Sequence, residues 1–364
     1  MDNGKITVAE LQRMLDEGND VTVLDVRPKD QREEWKIEGS QYVDAYKSLN
    51  EGDSSLLDAL EVAENTTVVT VCAAGRVSQI ASEALRKKGV NASSLEGGMK
   101  AWNYAWNTAE IKDENLTIIQ VRRVAKGCLS YMIGSENEAI VVDASLDPEV
   151  YIDLAKRHNW TIRYVMDTHI HADYISRTIE LAKSTNAVHL FNENAEVAYD
   201  FTPLSDRDMV PFGNSNLTAV FTPGHTPESI SYLVNDQYLL TGDTLFTDGV
   251  GRPDLKANAD QALQKAGQLF TSLEKILSLS SQDLLILPAH TSGTVAFDGK
   301  IIGEELPRLS VEIELLGLSK DEFVAQTISH IPEAPANYLQ ISELNKKGSY
   351  EGVNPADLEA GANR

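Results

Sequence analysis

The chain has 364 residues, 42% hydrophobic and 24% charged, an ordinary globular mix with room for two domains. Its 32 Lys and Arg stand against 55 Asp and Glu, and a net charge of −23 repels phosphate backbones, which excludes nucleic acid as a partner. No run approaches the roughly 20 apolar residues that span a bilayer, and Met1-Asp2-Asn3-Gly4-Lys5 lacks the start of a secretory signal, so no membrane association and a cytoplasmic location are expected.

Thr7-Val8-Ala9-Glu10 has the spacing of a capping box ahead of a helix with Leu11, Met14 and Leu15 on one face. Residues 21–26 and 67–72 are short β-branched runs of the kind buried in a parallel sheet. A helical pattern over 78–88 places Ile80, Ala84 and Leu85 together and stops at Lys87-Lys88-Gly89. This alternation predicts a small parallel α/β domain over 1–107. Residues 108–116 are polar and acidic and are expected to be a linker. A second domain over 117–364 begins with strands at 117–122, 128–133 and 139–142, then alternates helix and strand from 148 to 190. A hairpin is expected at 231–234 and 238–240, over Asn235-Asp236-Gln237. Strands first and βα units later predict a layered α+β sandwich. Residues 305–364, with Pro332-Glu333-Ala334-Pro335 and Asn345-Lys346-Lys347-Gly348, carry no motif and are assigned as cover for that domain or an interface.

The two cysteines, Cys72 and Cys128, are too few for a disulfide framework. Cys72 closes the strand 67–72, and the loop Ala73-Ala74-Gly75-Arg76-Val77 leads into the next helix. Unpaired N–H groups and partial positive charge at a helix N-terminus stabilise a thiolate, and Arg76 adds a cation. Small loop residues let the amides turn inward to cradle a persulfide or an oxyanion. The plainer alternative is a buried structural cysteine. Asp25-Val26-Arg27 with Trp35 and Gly39, the loop 72–78, and Leu95-Glu96-Gly97-Gly98-Met99-Lys100-Ala101-Trp102 together resemble a single-domain rhodanese over residues 5–106. The resemblance implies a sulfurtransferase in which Cys72 carries a persulfide, with Asp25 and Arg27 structural. Ala73 departs from the family loop, where a basic residue often follows the cysteine.

Thr168-His169-Ile170-His171-Ala172-Asp173-Tyr174 alternates two imidazoles and a carboxylate just after a predicted strand. Thr222-Pro223-Gly224-His225-Thr226-Pro227 is a tight turn presenting one His, Thr241-Gly242-Asp243 puts an Asp at a strand end, and Leu287-Pro288-Ala289-His290 another His. Imidazole and carboxylate without thiolate suit Zn, Fe(II) or Mn. The four segments resemble the metallo-β-lactamase superfamily over about 117–305, which implies an αββα sandwich. His158, His189 and His330 match no motif and are expected to be surface or packing residues.

That superfamily hosts several chemistries. Its binuclear zinc hydrolases use His-x-His-x-Asp-His, and here Tyr174 takes the final position. Gly249-Val250-Gly251-Arg252-Pro253-Asp254-Leu255, with Lys126-Gly127-Cys128-Leu129-Ser130-Tyr131 upstream, resembles the persulfide dioxygenases. This second resemblance implies one Fe(II) per chain held by His169, His225 and Asp243. It leaves His171, Asp173, Tyr174 and His290 around those ligands or at a second metal, Arg252 for an anionic part of the substrate or a loop salt bridge, and Cys128 as a small buried hydrophobe. The implied reaction oxidises a small-molecule persulfide with O2 to sulfite and thiol, with thiosulfate or sulfite as the partner of Cys72. The alternative is a binuclear zinc thioester or lactone hydrolase of the glyoxalase II kind with an accessory rhodanese. A homodimer is expected as the commonest assembly.

Overall fold

The computed structural model describes residues 4–63, 66–253, 259–279, 284–293, 295–329 and 337–359. His330, Asp254, Leu255 and residues 332–335 lie outside them.

The capping box forms. Thr7 Oγ1 accepts from Glu10 N, and the Glu10 carboxylate accepts from Thr7 N at 2.8 Å, starting the helix Val8–Asp16. The first sheet is wholly parallel: β1 (Lys5–Ile6), β2 (Val21–Asp25), β3 (Gln41–Tyr42), β4 (Thr67–Val71) and β5 (Ala92–Leu95), in the order β1-β5-β4-β2-β3. β4 sits at its centre and is covered on both faces, which is why Val68, Val69, Thr70 and Val71 are all buried. The helix Arg76–Lys87 lays Val77, Ala81 and Leu85 against Leu24 and Val68. Asp25 and Arg27 form a buried ion pair at 2.7 Å, and Arg27 also donates to Trp35 O, which ties the end of β2 to the following loop.

The second sheet contains β6 (Trp106–Lys112), β7 (Thr117–Arg123), β8 (Leu129–Ser135), β9 (Glu138–Val142), β10 (Thr161–Met166), β11 (Val188–Asn192) and β12 (Thr202–Leu204), in sequential order. The third contains β13 (Met209–Phe212), β14 (Ser215–Phe221), β15 (Ile230–Val234), β16 (Tyr238–Gly242), β17 (Leu285–Pro288) and β18 (Glu304–Glu305). Side-chain alternation divides these strands between cores. Ile118, Ile140, Leu240 and Leu287 fill the space between the two sheets. Their neighbours Ile119 and Val141 face the helix Pro148–His158, and Leu239 and Ile286 face the helix Ala259–Leu277. Each such side chain contributes roughly 2 kcal/mol by leaving water. The result is the expected helix–sheet–sheet–helix sandwich.

The expected linker at 108–116 is corrected. Its first part belongs to β6, which pairs with β7 along its whole length, from Trp106↔Arg123 to Lys112↔Thr117. β6 faces Asn107 and Ala109 inward, and the Asn107 side chain bridges Arg122 and the carbonyl of Ala296. The two halves of the chain also share a core: Leu11, Val69 and Trp102 pack with Val124, Ala125 and Val295, and the Trp102 and Phe297 rings lie 6.3 Å apart.

β7 ends in two consecutive buried arginines on opposite faces. Arg122 donates to Asn107 Oδ1 and to the carbonyls of Ala296 and Lys300. Arg123 pairs with Glu359 Oε2 at 2.9 Å, donates to Asn103 O at 3.0 Å, and lies over the Tyr104 ring. Among the described residues no helix is long and apolar enough to cross a membrane.

His158, expected to be a surface or packing residue, stacks on Trp160 with ring centroids 4.4 Å apart. His189 on β11 stacks between Phe191 and Tyr199, and its Nε2 is buried without a hydrogen-bond partner among the described residues. Burial pushes its pKa down to about 4. Between pH 6.5 and 4 the unfolded state therefore binds the extra proton, and stability falls as pH falls through that window, by about 2–3 kcal/mol. His189→Phe will flatten the urea-denaturation stability profile over this range; a variant profile parallel to the wild type would refute the assignment.

Candidate metal centre

Every candidate ligand sits at the carboxyl end of a strand, along one edge of the sandwich. His169 and His171 follow β10, His225 lies in the turn after β14, and Asp243 and His290 follow β16 and β17. β9 and β10 are parallel, as are β16 and β17, so the loops leaving each pair emerge side by side. Gly251 closes the site tightly: a Cβ there would stand 1.9 Å from the Asp243 carbonyl and 3.3 Å from His225 Cβ, so no side chain fits.

His169, His225 and Asp243 are brought together, one donor atom from each lying within 4.8 Å of the others. Asp243 Oδ2 faces His169 Nε2 at 3.7 Å and His225 Nε2 at 3.6 Å, beyond hydrogen-bond length. The other ring nitrogens are engaged. His169 Nδ1–H donates to Thr168 Oγ1 at 3.0 Å, and Thr168 in turn donates to Asp143. His225 Nδ1–H donates to the Arg252 carbonyl at 3.0 Å. Both Nε2 lone pairs therefore aim at the gap, the tautomers that outer hydrogen bonds select for metal ligation. Burial pushes both imidazoles below their ordinary range and keeps them neutral. Burial alone would raise the Asp243 carboxyl, but His290 and His169 hold it well below the carboxylate range. Two neutral imidazoles and one carboxylate are the protonation states a divalent metal requires, and His171 Nδ1 adds a buried nitrogen with no partner among the described residues. These donors fit Fe(II) or Zn.

A second cluster joins Cys128, Asp173 and His290. His290 Nδ1 donates to Asp243 Oδ1 at 2.5 Å and Nε2 to Asp173 Oδ2 at 2.9 Å. Burial opposes a charge on His290, yet Asp243 and Asp173 outweigh it and raise its pKa well above the ordinary imidazole range. Cys128 is buried, as expected, but it is no apolar filler: its Sγ lies 3.3 Å from Asp173 Oδ2.

The position expected to weaken a second metal is built differently again. Tyr174 is buried, and its hydroxyl oxygen accepts from His171 Nε2–H at 2.8 Å; the same N–H donates to Asp143 Oδ1 at 2.9 Å. The loop 167–176 is fixed by residues that carried no motif. Glu228 Oε1 accepts from Ile170 N, Asn345 Nδ2 donates to the carbonyls of His171 and Tyr174, and Glu359 Oε1 accepts from Ile175 N. Asp143, which bonds Thr168 and His171, was also not singled out, although a carboxylate ending the strand Ala139-Ile140-Val141-Val142 is a signal that could have found it.

The thiol site lies in the other half. Cys72 Sγ accepts from Gly75 N at 3.2 Å and from Ser78 Oγ at 3.3 Å, and Ser78 is linked to Ser94 at 2.8 Å. Ser78 had not been singled out. Arg76, expected to add a cation, is exposed and reaches Asn50 Oδ1 instead, at 2.5 Å.

Residues 7–105 match the rhodanese-like domain family and residues 123–207 the metallo-beta-lactamase superfamily. Over 245 residues the chain is 34% identical to a hydroxyacylglutathione hydrolase from Saccharophagus degradans, covering 62% of this chain and 86% of that protein. The chain belongs to the metallo-beta-lactamase superfamily. Its superfamily domain follows an N-terminal rhodanese domain. Another superfamily relative is the human mitochondrial persulfide dioxygenase ETHE1, 29% identical over 165 residues, or 44% of this chain and 63% of that protein. The metallo-beta-lactamase structure from Staphylococcus aureus superposes with a TM-score of 0.59 at 28% identity, over 66% of this chain and 76% of that one. Against two further hydroxyacylglutathione hydrolases the chain spans 61% and 49% of their length. The protein is thus an enzyme of this superfamily whose relatives include both a dioxygenase and hydrolases.

Proposed function

We propose that the protein is a persulfide dioxygenase fused to a sulfurtransferase. The observation that carries this reading is Tyr174. Its hydroxyl engages His171 Nε2, so the position that completes a second metal site in the binuclear hydrolases is spent on a hydrogen bond. One metal per chain then remains, held by His169, His225 and Asp243, a 2-His-1-carboxylate set. Bound there, Fe(II) would supply the electron transfer that lets O2 react with a sulfur anion, with the net change R–S–SH + O2 + H2O → R–SH + sulfite + 2 H⁺.

The protein's own groups do the rest. Thr168 and the Arg252 carbonyl hold the two imidazoles with Nε2 inward, and His290 grips the outer oxygen of Asp243. Arg252 stands on the same loop, where its guanidinium is the proposed partner of an anionic part of the substrate. In the rhodanese domain, Cys72 attacks the outer sulfur of thiosulfate; the S–S bond breaks, sulfite leaves with the electron pair, and Cys72 keeps the sulfur as a persulfide. Gly75 N and Ser78 Oγ are the donors that hold the attacking Cys72 Sγ. An acceptor thiolate then removes it, or sulfite takes it back in the reverse direction.

A hydrolase reading has its own support: the 34% identical hydroxyacylglutathione hydrolase and the second donor cluster, Cys128, Asp173 and His290. Metal analysis and an oxygen electrode separate the two. Protein reconstituted with Fe(II) will consume O2 only when a low-molecular-weight persulfide is added, and will retain about one iron per chain. Two zincs per chain with no persulfide-dependent uptake would sink the dioxygenase. Cys72→Ser will abolish sulfur transfer from thiosulfate to cyanide and leave this oxygen uptake unchanged; parallel loss of both would mean the two sites work as one.

A further inference from the structure

Cys128 begins the strand that runs into β8, and its backbone is bridged to that of His290. Leu129 N donates to Ala289 O at 2.7 Å and Thr291 N to Gly127 O at 3.0 Å. Gly127 has φ +82, and a Cβ there would stand 2.5 Å from the Thr291 carbonyl, so the turn 126–128 presses against the loop carrying His290. The Cys128 side chain is fully buried and its Sγ is 3.3 Å from Asp173 Oδ2. A carboxylate only accepts, so the thiol donates. The same oxygen receives His290 Nε2–H, and His290 Nδ1–H reaches Asp243 Oδ1, while Asp243 Oδ2 faces His169 and His225. A continuous chain of hydrogen bonds thus runs from a buried thiol to a carboxylate at the metal centre.

We propose that Cys128 is a positioning residue for the metal centre, orienting the Asp243 carboxylate through Asp173 and His290. The proposal rests on the reading of His169, His225 and Asp243 as metal ligands. Each link has a fixed neighbour: the thiol turns Asp173 toward His290, and two carboxylates on opposite ring nitrogens leave the imidazole one orientation. That orientation sets which oxygen Asp243 offers to the gap. A side chain that merely filled space would need no donor facing Asp173.

Loss of an outer hydrogen-bond partner of a ligand weakens metal binding by about 10–100-fold. The test is a chelator-competition titration of full-length Fe(II)-loaded protein, with the electron paramagnetic resonance spectrum after nitric oxide treatment as a second readout. Cys128→Ala, which acts on Asp243 only through Asp173 and His290, will lower iron affinity by up to about 10-fold, the low end for a direct partner, and change the spectrum. Cys128→Ser, which keeps an O–H donor, will restore most of both. Sulfur transfer by Cys72 stays at the wild-type rate in both variants and reports correct folding. Wild-type affinity and spectrum in Cys128→Ala, or a serine variant as weak as the alanine one, overturns the relay. So does a second metal equivalent that disappears with Cys128, which would make the cluster a cation site. Wild-type protein that holds no metal overturns the metal-site reading itself, and that result appears before any variant is compared.

Discussion

Asp243→Ala will strip the metal and abolish persulfide-dependent oxygen uptake while leaving sulfur transfer by Cys72 at its wild-type rate. Both oxygens of this carboxylate are committed: Oδ1 accepts from His290, and Oδ2 faces His169 and His225 across the gap. Its loss removes one of three donors and the only negative charge among them. It also leaves His290, held cationic between two carboxylates, with Asp173 alone. The loss of affinity should exceed the roughly 100-fold that marks the upper end for an outer partner. Metal content after gel filtration, an oxygen electrode and a thiosulfate–cyanide assay measure the three quantities separately. Retained iron and oxygen uptake in this variant would place the centre elsewhere. Loss of sulfur transfer as well would show that the substitution had unfolded the protein.

The second large effect lies behind the metal loop. Arg123 and Glu359 form an ion pair with both side chains fully buried. The remaining Glu359 oxygen accepts from Ile175 N in the metal loop, and Lys126 Nζ donates to the Glu359 carbonyl. Removing one member of a buried pair strands the other charge and typically costs about 3–5 kcal/mol. Glu359→Gln should therefore lower the melting temperature by roughly 10 °C, from the usual 2–4 °C per kcal/mol for a domain of this size. The double variant Arg123→Met with Glu359→Leu, which leaves no orphan charge, should recover more than half of the loss. Calorimetry decides it: a single variant within about 1 kcal/mol of wild type would mean that water or another group replaces the lost partner.

What could be read from the sequence was whatever short-range physics writes into it. The Thr7–Glu10 capping box, the β-branched strands β2 and β4, and the turn-borne His169, His225, Asp243 and His290 all depend on neighbours a few residues away. The rest depends on partners far along the chain. Arg122 and Arg123 look like surface charges, and only Ala296, Lys300 and Glu359 make them buried; Glu359 is 236 residues from Arg123. Residues 106–112 are polar enough to pass for a tether, because Asn107 faces inward only where Arg122 and Ala296 can bond it. Cys128 was read as a hydrophobe since nothing nearby in sequence announces Asp173. Arg76 was read as the loop's cation for the thiol, and its contact with Asn50, 26 residues away, is not written in the nearby sequence.

The core shared by Leu11, Val69, Trp102, Val124, Ala125 and Val295 has a consequence for how sulfur can travel. In enzymes whose modules hang on a flexible leash, one catalytic group samples a cloud of positions around the other, and leash length tunes how often they meet. Here apolar packing joins the two halves in place of a leash. Under the proposed function, sulfur would pass between Cys72 and the metal centre by the diffusion of a small carrier thiol, and the length of the connecting segment would not set that rate.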